Sequence, residues 1–573
     1  MTDKQIIVRS VSDSSLPRTQ DLDPLFWRIL AARGVKSEVE TRYAIKNMLD
    51  IDHIRHLQLA ADLLAEHIID NKRVLIFGDY DADGATSTAL CVRALALLGH
   101  KNTDYLMPDR FVDGYGLSIS AAQRIIQQTP HCVITVDNGI ASFDGIDLLR
   151  GHGIDIIVTD HHLPASKLPN ASVIVNQNAW DDETQGKNLA GVGVAFYLML
   201  ALRKTLRARD WFNDARPEPN LAVCLDLVAI GTLADLVPLD YNNRILVNEG
   251  LRRIRAGYCG QGIKALIELS KKIPSSLTST DIGFSIAPKI NAAGRLDDIT
   301  VGVRCLLADN RERAYSLADK LNNINLLRKN IQQQMSIEAE QQLDSLDDQG
   351  MQSKHAIVLY QAHWHEGIVG IVAARIREKY HRPGIVFAKS EDGYLKGSGR
   401  SVPGIHLRDM LDTVDKRYPG MILKFGGHAM AAGLSLEQSS LEQFTERFTQ
   451  VISDMADPGC FSATIECDGS LDNAYFNLEF ARALQNLAPW GQRFPTPSFV
   501  GEFDVINQRV LADKHLKLVL SPPQSKESLD AIAFFQPDSV LNAGYSKIQI
   551  HFELNLNQFR GLESLQLLIR DIL

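Results

Sequence analysis

Four short stretches set acids and imidazoles where chemistry could be done. Phe77-Gly78-Asp79-Tyr80-Asp81-Ala82-Asp83-Gly84 places three carboxylates on alternate positions, directly after the apolar run Val74-Leu75-Ile76-Phe77. Val136-Asp137-Asn138-Gly139, Asp160-His161-His162 and Asp235, within LDLVAIGTLADLVPL (225–239), add the others. Like charges this close repel unless something cationic lies among them. Several carboxylates with one or two imidazoles form a hard-to-borderline donor set suited to Mn²⁺ or Mg²⁺. No thiolate accompanies them, so a structural zinc site is not indicated. A calcium loop also begins D-x-D-x-D-G, but counting from Asp79 puts Leu90 where a bidentate Glu is required, and a strand precedes it instead of a helix. Taken singly, each acid reads as a helix cap and the histidine pair as surface or core. Together, with three of the four clusters at strand carboxyl ends, they read as a metal site.

The elements that must hold these residues alternate between short apolar runs and helical stretches. VLIF (74–77), VITV (133–136), IDIIVT (154–159) and SVIVN (172–176) are uninterrupted strands separated by helices, the pattern of a parallel sheet covered on both faces. Open sheets of this kind bind ligands at their strands' carboxyl ends, where Asp79, Asp137 and Asp160 fall. Asp235 follows Gly231-Thr232-Leu233-Ala234, expected as a turn facing the site. Asp226, nine residues earlier in an apolar run, is the alternative fourth acid. Residues 311–346 read as a long connecting helix, broken at Asp347-Asp348-Gln349-Gly350. HAIVLYQ (355–361) opens a second α/β unit. After Asp457-Pro458-Gly459 the texture becomes mostly β, consistent with a small barrel of the OB type.

At 573 residues the chain needs several cores. Its 45% hydrophobic and 23% charged residues are ordinary for globular protein, and no apolar run approaches a membrane span. Seven cysteines, all placed singly, and a start without an apolar secretory segment fit a reducing cytoplasm. The net charge of −9 alone argues against a polyanionic partner. Between residues 242 and 330, however, 15 Lys and Arg face 8 Asp and Glu. That local excess is compatible with a nucleic-acid track without establishing one.

DYDADG, VDNG, the DHH triplet and GTLADLVPL resemble the motifs of the DHH phosphoesterase superfamily. HEGIVGIVAARI (365–376), GSGRS (397–401) and GGHAMAAGL (426–434) resemble its companion DHHA1 domain. With the β-rich tail, order and spacing are similar to the superfamily's metal-dependent 5′→3′ exonucleases of single-stranded DNA. The resemblance implies an N-terminal segment (1–50), a parallel-sheet α/β DHH catalytic domain (51–305), a connecting helix (306–350), a smaller α/β DHHA1 domain (351–457) and an OB-fold-like nucleic-acid-binding domain (458–573). It implies that Asp79, Asp81 and Asp137 hold one divalent ion and Asp83, Asp137, His161 and Asp235 a second. Phe77 stands where some members carry a histidine, and Asp79 would compensate. Asp160 would orient a histidine, and His162 would touch the scissile phosphate. Ser398, Arg400 and His428 would contact the 5′-terminal phosphate, the glycines of GSGRS and GGHAMAAGL letting backbone N–H groups approach it. Arg110 and Arg295 are further anion contacts. The cellular role implied is recombination and mismatch repair, as a monomer with no membrane association, beside a single-strand binding protein and a RecQ-type helicase. Two other readings stay open: a phosphodiesterase of oligoribonucleotides or cyclic dinucleotides, and a DNA-binding relative without catalysis.

Overall fold

Runs such as Val74-Leu75-Ile76-Phe77 and Cys132-Val133-Ile134-Thr135-Val136 have no polar face, so they are stable only inside a sheet covered on both sides. The computed structural model describes residues 4–11, 22–110, 112–114, 116–180, 184–344, 354–525, 527–559 and 561–573. After a short strand β1 (Gln5–Val8), it places β2 (Val74–Phe77), β3 (Thr103–Leu106), β4 (Cys132–Val136), β5 (Asp155–Thr159) and β6 (Val173–Val175) in a parallel sheet of order β3-β2-β4-β5-β6. Side chains alternate across it. Val74 and Ile76 join a core built with the helices Leu57–Ile69, Ala82–Leu97 and Gly191–Ala208. Leu75 and Phe77 join a second core with Ile119–Gln127 and Phe143–Gly151. The sequence pattern does not announce β3, because this half-exposed edge strand holds a single aliphatic residue. The chain leaves β2 on one side for β3 and crosses to the other for β4. The loops after β2 and β4 therefore part, opening a crevice at the sheet's switch point.

Gly231-Thr232-Leu233-Ala234 is not the turn expected. It ends the helix Leu225–Ala234, for which Asp235 is the C-cap. The connecting helix spans Arg311–Asp344, and the break expected at Asp347-Asp348-Gln349-Gly350 lies outside the described residues.

Val8–Ile324 with Cys467–Leu573 form one compact unit, and Met1–Ile7 with Asn325–Glu466 a second. The second contains β7 (Ile357–Tyr360), β8 (Gly384–Lys389), β9 (Leu395–Arg400), β10 (Lys424–Gly427) and β11 (Ala431–Leu436) in the order β10-β11-β9-β8-β7. Only β7 and β8 are parallel. GSGRS and GGHAMAAGL, which glycine content suggests are phosphate-approaching loops, lie largely on strands. β9 is paired on both sides, which commits its backbone to the ladder. A Cβ at Gly397 would lie 2.4 Å from the Phe387 ring and one at Gly399 2.8 Å from Leu407, so these glycines make room for core side chains.

Beyond β12 (Thr464–Cys467), which pairs with β1, the strands β13 (Phe499–Leu511), β14 (His515–Ser521), β15 (Leu529–Ala533), β16 (Lys547–Phe559) and β17 (Leu562–Ile572) close a barrel in the order β13-β14-β15-β17-β16. Its core is continuous with that of the parallel-sheet region. Leu239 N donates to Gln492 O at 2.9 Å, and Ser279 Oγ to Trp490 O at 2.6 Å. The helix Pro24–Ala31, capped by Asp23, packs here too, Phe26 stacking on Phe480 at 5.0 Å. Just beyond it, Arg33 grips Asp468 with two bonds of 2.7 and 2.9 Å, both side chains almost fully buried. Among the described residues no helix is long and apolar enough to cross a membrane.

Candidate metal centre

The loop after β2 is built to fold three acids back on one another. Asp81 caps the helix Ala82–Leu97, its Oδ1 accepting from Gly84 N at 2.9 Å. Asp83, in the first turn, accepts from Gly191 N at 2.7 Å and Val192 N at 3.0 Å, at the positive end of the helix Gly191–Ala208. A Cβ at Gly84 would sit 2.5 Å from the Asp79 backbone, so only glycine lets the loop lie on its own helix. From the far side, Asn291 Oδ1 accepts from Ala82 N at 2.8 Å, and Gly294 lies so close that a Cβ there would be 1.6 Å from Tyr80 O.

Asp137 follows β4 with φ +62, a left-handed conformation that Asp adopts more readily than most residues. Asn138 fixes the turn, its side-chain amide donating to Phe77 O and Val136 O. Asp160, after β5, organises the triplet it begins. Its Oδ1 accepts from His161 N at 2.7 Å, His162 N at 3.1 Å and His162 Nδ1 at 2.7 Å, while Oδ2 accepts from Ile140 N at 3.0 Å. Asn178 and Asn176 bind the His161 and His162 carbonyls. The asparagines Asn138, Asn176, Asn178 and Asn291 were not singled out from sequence. Gly191 could have been noticed, since LAGVG after a strand signals close packing; a Cβ there would lie 2.6 Å from that of Asp137.

These elements bring together the acids and imidazoles separated along the chain. Asp79, Asp81 and Asp137 present ligand atoms within 4.8 Å of one another; Asp83, His161 and Asp235 do likewise, as do Asp137, His161 and His162. His161 Nε2 stands 3.2 Å from Asp137 Oδ1 and 3.4 Å from Asp235 Oδ2. Yet His161 Nε2, Asp137 Oδ1 and Asp79 Oδ1 are all buried without a hydrogen-bond partner. Orphaned ligand atoms lying this close together without bonding fit a metal-ligand set. Asp226 is elsewhere. Fully buried, it accepts two bonds from Arg93 and one from Gly260 N.

The electrostatics follow. Burial, then the Asp81 charge, carries the Asp83 carboxyl up to about 7. Burial followed by neighbouring carboxylates raises Asp79, Asp137 and Asp235 well above the ordinary range. Burial and then the His162 charge lower His161 to about 4, leaving a neutral imidazole suited to ligation. For His162 burial acts downward, but its bond to Asp160 and that carboxylate's charge outweigh it, lifting the ring to about 9.

The anion-contact candidates fall in two places. Arg110 lies over the Tyr80 ring at 4.9 Å, and Arg295 follows Gly294 on the helix that braces the acid loop. Ser398, Arg400 and His428 are neighbours in the second unit. Arg400 Nη1 donates to Ser398 Oγ at 3.2 Å, Arg400 pairs with Ala431, and Ala431 O accepts from His428 N at 2.8 Å.

Parallel sheet, converging acids and companion unit define a DHH phosphoesterase. Residues 73–232 match the model of the DHH family, N-terminal domain, residues 353–454 that of the DHHA1 domain, and residues 467–571 that of the RecJ OB domain. The single-stranded-DNA-specific exonuclease RecJ of Salmonella typhimurium is 45% identical over 100% of both chains, and that of Escherichia coli 46% identical over 98% of this chain and 97% of its own. The crystal structure of Thermus thermophilus RecJ in complex with Mn²⁺ superposes with a TM-score of 0.82 at 27% identity, covering 99% of this chain and 79% of that one. The chain belongs to the RecJ family.

Proposed function

We propose that this chain is a 5′→3′ exonuclease that hydrolyses single-stranded DNA to 5′-mononucleotides, using a pair of divalent cations, in DNA recombination and repair. Its relatives are named single-stranded-DNA-specific exonucleases, and RecJ structures contain Mn²⁺ or Mg²⁺. The observation that carries the reading is that Asp137, whose Oδ1 is buried and unpartnered, belongs both to the cluster with Asp79 and Asp81 and to the cluster with His161 and His162, where Asp79 Oδ1 and His161 Nε2 are likewise unpartnered.

Asp79, Asp81 and Asp137 would hold one ion, and Asp83, Asp137, His161 and Asp235 the other, Asp137 serving both. A cation pair supplies hydroxide near neutral pH and neutralises the phosphate oxygens that would repel it. The chain's own groups do the rest. Asp160 fixes the His162 ring and favours its protonated form, and an imidazolium there would stabilise charge on the phosphate or give a proton to the departing 3′-oxygen. Arg110 and Arg295 would steady the backbone, and the planar fork of Arg400, with Ser398 and His428, would take the 5′-terminal phosphate.

The test is a strand labelled at its 5′ end, incubated with Mn²⁺, Mg²⁺ or EDTA. Metal-dependent release of the label as mononucleotide from the first turnover is expected, with duplex left intact. Release that begins at the 3′ end, or cleavage confined to dinucleotides, overturns the reading. Arg400→Ala should impair strands bearing a 5′-phosphate more than those bearing a hydroxyl; equal impairment moves Arg400 to a general backbone contact.

A further inference from the structure

Two leucines beside the metal centre stand in solvent. Leu236 is 65% exposed, one residue after Asp235, and Leu163 is 61% exposed, one residue after His162. His161 Nε2 lies 3.4 Å from Asp235 Oδ2, so both leucines flank the same cluster. Neither is loosely held. Asn178 and Asn176 bind the His161 and His162 carbonyls at 2.6 and 2.8 Å, and Pro164 restricts the Leu163 backbone to extended conformations. Leu236 lies between Asp235, whose N donates to Gly231 O at 3.0 Å, and the buried Val237.

Leu236 also sits at φ +60, the left-handed conformation that ends many helices and is ordinarily filled by glycine. A bulky residue there is strained, and an exposed side chain recovers little of that cost by burial. Glycine would make the same turn at less strain. Strain retained one residue from a candidate metal ligand points to a task outside the fold.

We propose that Leu236 and Leu163 form an apolar rim against which the deoxyriboses flanking the scissile phosphate pack, and that this rim discriminates against ribose, an inference that rests on the function proposed above. With the phosphate held at the cations, a side chain one residue from a ligand reaches what adjoins that phosphate, and along a strand that is sugar. Deoxyribose presents an aliphatic C2′ where ribose carries a hydroxyl. Against leucine that hydroxyl would lose its water and gain no partner. An apolar wall facing an added hydroxyl discriminates by at most about a hundredfold, so ribose would be slowed and not excluded.

The test compares kcat/KM, in Mn²⁺, on a 5′-phosphorylated oligodeoxynucleotide and on the same strand carrying ribose in its first two nucleotides. The parent should favour the all-deoxy strand by about ten- to a hundredfold. Leu236→Ala and Leu163→Ala should each lower this ratio, Leu236→Ala by about tenfold, while their Mn²⁺ affinities by titration calorimetry match the parent's. Leu236→Gly should lower the ratio too, yet melt no lower than the parent in EDTA, because it relieves the left-handed strain. A parent that cleaves both strands equally, a ratio unmoved in either alanine variant, or a Leu236→Gly protein that melts lower overturns the rim and leaves the nuclease reading standing. Mn²⁺ affinity lost with the Leu236 side chain would move its role to holding Asp235, and overturns the rim as well. A parent that cleaves neither strand overturns the functional reading, and the rim with it.

Discussion

Replacing Asp137 by Asn should make the metal-free protein more stable while destroying its activity. The amide keeps the carboxylate's shape, and Asn tolerates the left-handed backbone at this position, φ +62, so no new strain is introduced. What changes is charge. Asp137 shares a space no wider than 4.8 Å with Asp79 and Asp81, and at an effective dielectric of 20 a like-charge pair at that separation costs about 3.5 kcal/mol. Protonation within the cluster relieves part of this, as the raised carboxyls indicate, leaving a net gain of about 1–3 kcal/mol for the substitution. In EDTA the melting temperature should rise by about 1–3 °C. With Mn²⁺ the order should reverse, because the parent gains a ligand set the variant lacks, and cleavage by the variant should fall by about 10³-fold. Differential scanning calorimetry with and without metal, beside a nuclease assay, checks both signs. A variant that melts lower in EDTA, or cleaves within tenfold of the parent, would refute a shared carboxylate at this position.

Asp226→Ala should cost about 3–5 kcal/mol of stability by leaving the Arg93 guanidinium with a largely buried, unmatched charge, yet leave the Mn²⁺ affinity of the folded protein intact; Asp235→Ala should do the opposite, and titration calorimetry on each separates them. The acid cluster also sets a pH dependence. Groups raised in the fold, Asp83 to about 7 among them, hold protons that the unfolded chain has released, so their contribution to metal-free stability is present in mild acid and lost as pH rises through about 7. Mn²⁺ requires the ionised forms, so its thermal upshift should be larger at about pH 8 than at about pH 5.5, with protons released on binding; an equal upshift at both contradicts the assignment.

The sheet and its acids were legible because their signals are local. An apolar run followed by Asp and Gly marks a strand end whatever surrounds it, and Asp79, Asp137 and Asp160 were found that way. What hid was decided by distant neighbours. Gly397 and Gly399 read as residues that let the backbone approach a phosphate; only the Phe387 ring and Leu407 beside them explain why a strand needs them. Thr103-Asp104-Tyr105-Leu106 carries too little apolar surface to be recognised, since an edge strand half in solvent needs little. Gly231 and Thr232 suggested a turn, yet the helix runs through them because glycine lets it close on Asp83, where a Cβ would come within 2.7 Å of the carboxylate. Asn291 bears no recognisable motif; its importance comes from reaching Ala82 across 209 positions of sequence.

A carboxyl-terminal barrel is commonly an accessory that can be trimmed from an enzyme. Here Trp490 and Phe494, just ahead of the barrel, lie beneath Arg33 and Arg244 at 5.5 and 4.3 Å, and Asp468 neutralises a guanidinium from the opposite terminus. Shortening the chain ahead of Cys467 would therefore not give a smaller nuclease. It would strand two arginines and uncover Leu233 and Leu239, which lie against Gly491, so the segment from Cys467 onward is part of what lets the parallel-sheet region finish folding.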